Sequence, residues 1–245
     1  MPTEATQSAP WSARAKELAG QNGALGALLI LAIAMAILSP VFLTTQNLMN
    51  VGTQAAVVAI LVFGQTFVIV SAGIDLSVGS LAALSAIVTG YSATNLGLPA
   101  WVAILLGIAT GCAAGLVSGI LISYGRLPAF IATMAMLSVG RGLALVLSNG
   151  IPVRQPSQVA FFGSTLGGWL PVPLLIMVIL GVLAAFILNR TYLGRCMYAI
   201  GGNEDAARLS GINVARQKLI IYALSGTFSA IAGLVLAGRL VSGQP

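Results

Sequence analysis

The sequence has no histidine, only two cysteines, and only eleven basic and five acidic residues in 245. Each scarcity excludes something. Without histidine there is no imidazole to act as general base or metal ligand. Cys112 falls in an apolar run and Cys196 in a charged stretch, so they suggest neither a disulfide framework nor a zinc site. No GxxxxGK[ST] occurs, so the chain has no phosphate loop of its own for ATP. Charged residues make up 7% of the chain, against about 25% in soluble domains. So few charges cannot solvate the surface of a globule this long, and an ordinary water-soluble fold is excluded.

What is present is hydrophobic: 58% of all residues. No charge falls in 18–74, 76–125, 155–189 or 219–238. A bilayer-spanning helix needs about 20 apolar residues, and these windows predict an all-α, polytopic transmembrane bundle. Seven segments are expected, at 23–43, 51–71, 76–94, 99–123, 128–148, 171–189 and 219–240. Pro40, Pro99, Pro128, Pro171 and Pro173 fall at segment ends, where a missing N–H costs least. Residues 1–22 form a polar tail and lack the features of a cleaved signal peptide. Its Trp11–Leu18 stretch reads either as a short surface helix or as a solvated tail.

The net charge of +6 would suggest nucleic acid in a soluble protein. Here it reads as the Lys/Arg bias of cytoplasmic loops, and no nucleic-acid partner is expected. With the N-terminus inside, Arg14, Lys16, Arg126, Arg190, Arg195, Arg208, Arg216 and Lys218 are cytoplasmic, and Arg154 and Arg239 are outside. The expected layout is a tail at 1–22, a membrane domain at 23–245, an outer loop at 149–170 and a cytoplasmic loop at 190–218. Gly107, Gly111, Gly115 and Gly119 recur every four residues. They lie along one helix face and should let two backbones pack closely.

Two charges stand inside apolar segments. Asp75 lies in Gly73–Ser80 and is the only acid between Glu17 and Glu204. A carboxylate at membrane depth is expensive. Asp75 is expected chiefly as a cap of the third span, accepting N–H bonds from residue 77 or 78. A direct role with substrate or ion, together with Ser77, and an ion pair with Arg141 remain open alternatives. Arg141, in Gly140-Arg141-Gly142, either snorkels or faces a polar cavity. Asn149 opens the loop to 170 and joins the pathway candidates.

The stretch 189–218 holds five of the eleven basic residues. Asn203 suits an N-cap, Glu204 and Asp205 suit the first turn, and Gly211 suits a C′ stop. The two-turn helix between them, with Ala206 and Ala207 expected on its surface, is too short to stand alone in water. It reads as an element that leans on a partner or on its own bundle.

Asp205-Ala206-Ala207, three residues, then Gly211, resembles the Glu-Ala-Ala-x-x-x-Gly coupling signature of ABC importer permeases. Ile221 falls where that motif continues, although Ala223-Leu224 replaces its Leu-Pro. Gly73-Ile74-Asp75-Leu76-Ser77-Val78-Gly79-Ser80, Leu127-Pro128-Ala129-Phe130-Ile131-Ala132-Thr133, Arg141-Gly142, Ser148-Asn149-Gly150, Gly201-Gly202-Asn203-Glu204 and Gly211-Ile212 occur in that order. From about Leu38 onward the chain resembles permeases of the ribose/xylose/arabinose class of ABC sugar importers.

The resemblance implies a non-enzymatic transporter subunit in a bacterial inner membrane, without cofactor. It implies a second permease copy, a soluble sugar-binding protein and a cytoplasmic ATPase that binds the ATP. Gly201, Gly202, Asn203, Glu204, Asp205, Ala206, Ala207, Gly211 and Ile212 would form the coupling segment. The family continues beyond the equivalent of Ser242–Pro245 through further spans, so the expectation is a permease lacking its C-terminal spans. The alternatives are a secondary transporter or channel using Asp75 and Arg141, and a non-transporting fragment. An intramembrane enzyme is disfavoured, because one well-placed acid offers little general acid–base chemistry.

Overall fold

The computed structural model describes residues 23–245, so the Trp11–Leu18 stretch lies outside the described residues. The chain divides into two units, 1–51 and 52–245. In the first, α1 (Gly23–Leu38) is apolar along its whole length. A turn through Pro40 follows, and Thr44 Oγ1 accepts the Asn47 N–H at 3.3 Å to open α2 (Thr45–Val70).

The second unit holds α2 from Gly52 onward, then α3 (Val78–Thr94), α4 (Ala100–Ser123), α5 (Ala129–Ser148), α6 (Ser157–Ala160), α7 (Val172–Arg190), α8 (Tyr192–Gly202), α9 (Glu204–Leu209) and α10 (Val214–Leu240). Five helices, α2, α4, α5, α7 and α10, are long and apolar enough to cross a membrane. α1 and α3 are apolar but shorter. The seven expected segments are therefore seven helices, of which five meet the length for a complete span. Pro99, Pro128 and Pro171 each immediately precede a helix, and Pro173 lies in the first turn of α7.

Helix α10 is the hub. Ile221, Tyr222, Phe228, Ala232 and Val235 are buried in the main apolar cluster with Phe67 and Val68 of α2. Phe67 and Phe228 meet edge-on, centroids 5.5 Å apart, an arrangement that suits the ring quadrupoles. Lipid tails are as apolar as leucine, so close van der Waals packing must hold helices together here. The glycines of α4 provide it. Gly111, Gly115 and Gly119 face α10, where a Cβ on Gly115 would run into the Tyr222 carbonyl oxygen. Gly226 of α10 returns the contact onto Gly111. Gly107 faces Ser85 and Thr89 of α3 instead.

The 149–170 region folds onto the far end of α10 rather than standing out as a solvated connector. Its strand β1 (Val153–Arg154) pairs antiparallel with β4 (Ser242–Gly243), and β2 (Thr165–Leu166) pairs with β3 (Leu170–Pro171). Val159 is fully buried, and Phe162 packs against the core. Buried Gln155 donates to the Ala86 carbonyl at 3.0 Å. These two-residue ladders are the only strands among the described residues.

Candidate functional site: an intramembrane break and a surface helix on one face of α10

Helix α2 stops at Val70 and α3 begins at Val78, leaving Ser71–Ser77 unwound. The break lies deep in the unit. It bonds to Ser225, the twelfth residue of α10, about 16 Å from that helix's start and about 22 Å from its end at 1.5 Å per residue. Irregular backbone at such depth is tolerated only when protein satisfies its polar groups, and here it does. Gly73 N–H donates to the Val68 carbonyl at 2.9 Å. Tyr222 Oη donates to the Ile74 carbonyl at 3.2 Å. Gln65 Nε2 donates to the Asp75 carbonyl at 3.1 Å.

The Asp75 side chain, 2% exposed, joins the break to two helices. Oδ1 accepts Ser77 N–H at 2.9 Å and Ser77 Oγ at 2.6 Å, an Asx turn that starts α3. Oδ2 accepts Ser225 Oγ at 2.7 Å. Three short donor bonds stabilise a charged acceptor strongly. The residue therefore needs no counter-cation. This corrects the Asp75–Arg141 pairing: Arg141 is exposed on α5, and the Asp75 oxygens are taken by serines. The reason is helical phase. Gly140 packs α5 against Ser80 and Leu81 of α3, and the next residue is turned about 100° away. Asn149 is exposed and ends α5 in the left-handed conformation, φ 53°.

At the end of the unit reached from Ser71 and Ser123, the chain builds a second interrupted structure. Helix α8 is amphipathic: Gly194, Cys196, Met197 and Ile200 are buried, Tyr192 and Tyr198 exposed. Asn203 then caps α9, its Oδ1 accepting Ala206 N–H at 2.9 Å. Glu204 and Asp205 occupy the first turn. Gly211, at φ 85°, ends the helix. Ile212 N–H returns to the Ala207 carbonyl and Gly211 N–H to the Arg208 carbonyl, both at 3.1 Å. That is the six-to-one and five-to-two pair of a Schellman stop, completed by apolar contact between its ends. Ala207 is accordingly buried with Ile200, Ile212 and Val214, which corrects its expected surface position. Ala206 is exposed, and Leu209 is 90% exposed.

Glu204 ties α9 to α10. Its carboxylate meets Lys218 Nζ at 2.7 Å and Arg208 at 3.1 Å. A cavity of about 1050 Å³ lies between α9 and the break, while the end of α8 touches the start of the break directly, where a Cβ on Gly201 would run into the Val70 carbonyl oxygen. Ser71–Gly73 line one side of it, Ile122, Ser123 and Arg126–Ala129 another, and Glu204, Arg208, Gly211–Ala215, Lys218 and Tyr222 a third. Arg126, Arg208 and Lys218 outnumber its one acid.

The partners of both acids escaped the sequence reading. Lys218, Tyr222, Ser225 and Ser229 recur at helical spacing in an apolar span, a polar stripe that could have pointed to them. Leu209 had no such signal, since nothing local distinguishes an exposed leucine from a core one.

The family described as the branched-chain amino acid transport system permease component matches residues 47–245. The chain belongs to this permease family. It is 43% identical over 230 residues to the ribose import permease protein of Escherichia coli (strain K12), covering 92% of this chain and 71% of that protein. It is 43% identical over 224 residues to the ribose import permease protein of Bacillus subtilis (strain 168), covering 89% and 68%. Over 227 residues it is 38% identical to the L-arabinose transport system permease protein of Escherichia coli (strain K12), covering 92% and 69%. No solved structure gives a significant match. This permease is thus a multi-pass membrane subunit of an importer.

Proposed function

We propose that this permease translocates a monosaccharide delivered by a soluble binding protein, works as a pair of identical copies, and is driven by a separate ATPase seated on α9. Its similarity to ribose and arabinose permeases supports the substrate class. ATP is bound by the partner, and the permease carries no cofactor of its own. Arg126, Arg190, Arg195, Arg208, Arg216 and Lys218 lie at or beside the α9 end, and Arg154 and Arg239 at the other. That asymmetry supports placing the α9 end in the cytoplasm.

One observation carries the reading. Helix α9 is capped at both ends, tied to α10 through Glu204, and presents a 90% exposed Leu209 to the outside. A six-residue helix with so much stopping chemistry and an apolar side chain held in water is built to enter another protein's groove. Gly201, Gly202, Asn203, Asp205, Ala206 and Ile212 shape its approach and stops, and Ala207 holds it to the unit.

The test is co-purification. The 245-residue chain is expressed with a tag beside a ribose-importer ATPase and its binding protein. The ATPase should be retained in detergent and lost with Leu209→Asp. Gly211→Val, which forces a β-branched residue into the left-handed region, should uncouple ATP hydrolysis from uptake while the protein stays inserted. Retention unaffected by Leu209→Asp, with normal uptake by Gly211→Val, would sink the coupling assignment. Uptake without any bound ATPase would point to a secondary transporter.

A further inference from the structure

The two interrupted structures meet the same face of one helix. Lys218, Tyr222 and Ser225 stand four and three residues apart on α10, on one side of it. Lys218 holds α9 through Glu204 at 2.7 Å. Tyr222 and Ser225 hold the break, through the Ile74 carbonyl at 3.2 Å and Asp75 Oδ2 at 2.7 Å. Between them α10 is an uninterrupted helix whose residues from Ile221 inward are mostly buried. The break itself faces the cavity through Ser71, Ala72 and Gly73, and Ala72 is exposed there. It therefore has both a rigid attachment and room to move.

We propose that Asp75 is a positioning residue of the transport cycle: by clasping Ser225 it locks the intramembrane break to α10, so that displacement of α9 by the ATPase is delivered to the start of α3. The proposal rests on the coupling role of α9 proposed above. Asp75 touches no substrate in this role. Its Oδ1 organises α3, its Oδ2 attaches that organised end to α10, and Tyr222 provides the second attachment. Removing Ser225 Oγ and Tyr222 Oη takes away both hydrogen bonds from α10 to the break and leaves the Asx turn at Ser77 intact. Ser229 is the internal control. It is equally buried on α10, but its hydroxyl donates to the Ser225 carbonyl of its own helix.

The experiment uses the full chain in proteoliposomes with the ATPase and binding protein, with Cys112 and Cys196 replaced by alanine and Ala72→Cys introduced. The rate at which a water-soluble maleimide labels position 72 is read with and without ATP and vanadate, alongside sugar taken up per ATP hydrolysed. With an unaltered α10, nucleotide should change the labelling rate several-fold. Tyr222→Phe/Ser225→Ala should keep the ATPase bound, lose that change, and lower uptake per ATP by about tenfold, within the range that changes along a coupling route produce. Ser229→Ala should behave as the unaltered protein. Asp75→Asn keeps an acceptor for Ser77 and an amide that the Ser225 hydroxyl can receive, so it should retain the response that Asp75→Ala loses.

The proposal is overturned if the double variant, inserted and holding the ATPase, still shows the nucleotide-dependent change. It is also overturned if Asp75→Asn is as inert as Asp75→Ala, since the charge and not the clasp would then matter. Failure of the unaltered chain to hold the ATPase would instead remove the coupling reading beneath it.

Discussion

Asp75 and Glu204 are both acids at the start of a helix, and both reach across to α10, yet they are held by different chemistry. Asp75 is buried and bound by an N–H and two hydroxyls, without a cation. Glu204 is partly exposed and bound by Lys218 and Arg208. Where water is absent, a lost partner leaves an unsatisfied group at full desolvation cost, so neutral donors at short range make a rigid clasp. Where water is present, an ion pair exchanges partners with solvent and ions cheaply. The molecule therefore has a stiff joint inside and a compliant one at its surface, linked by one helix. A coupling element needs that division: the surface helix must accept a partner, and the interior must not slip.

The comparison breaks most completely if α10 itself is dislodged. Gly115→Val forces branched carbons against the Tyr222 carbonyl, where backbone cannot yield. It should cost about 3 kcal/mol, seen as loss of the monodisperse species on size exclusion in detergent. Asp75→Ala strands Ser77 N–H, Ser77 Oγ and Ser225 Oγ in the interior. It should destabilise by about 2 kcal/mol, read as a lowered midpoint of thermal unfolding in detergent, and α9 should keep its own protection from hydrogen exchange.

At the surface the effects should be smaller. Asn203→Ala removes the cap of α9 and should cost about 1 kcal/mol, confined to faster exchange of the Ala206 and Ala207 amides. Lys218→Met removes one arm of the Glu204 pair and should cost about 0.5 kcal/mol at low salt and less at high salt. A Lys218→Met effect larger than that of Asp75→Ala, or insensitive to salt, would reverse the stiff and compliant assignments.

Much of this was legible in the residues. Charge-free windows and prolines located the helices, because a bilayer permits little else. Asn203, Glu204, Asp205 and Gly211 announced a capped turn, because capping depends on neighbours in sequence. The fourfold glycine spacing of 107–119 marked a close-packing face, but not that Gly107 would meet α3 while the other three meet α10. That split depends on where α4 crosses its neighbours. The Asp75–Arg141 pair, an alternative to the cap, was suggested only by two unexplained charges in apolar runs, and it fails in the fold. The phase of α5, set by Gly140 against α3, turns the guanidinium outward.

The sequence by itself determined that this is a helical membrane protein, roughly where its apolar helices lie, and that a short capped helix lies between the last two long ones. These follow from hydropathy, backbone chemistry and local hydrogen bonding, which act within a few residues. Only the tertiary structure decided that Asp75 is satisfied by Ser225, 150 residues away, that Ala207 faces inward while Leu209 faces water, and that α3 starts deep in the unit. These depend on which helices pack together and at what depth. No local pattern encodes that choice; the close approach of α4, α3 and α10 through their glycines does.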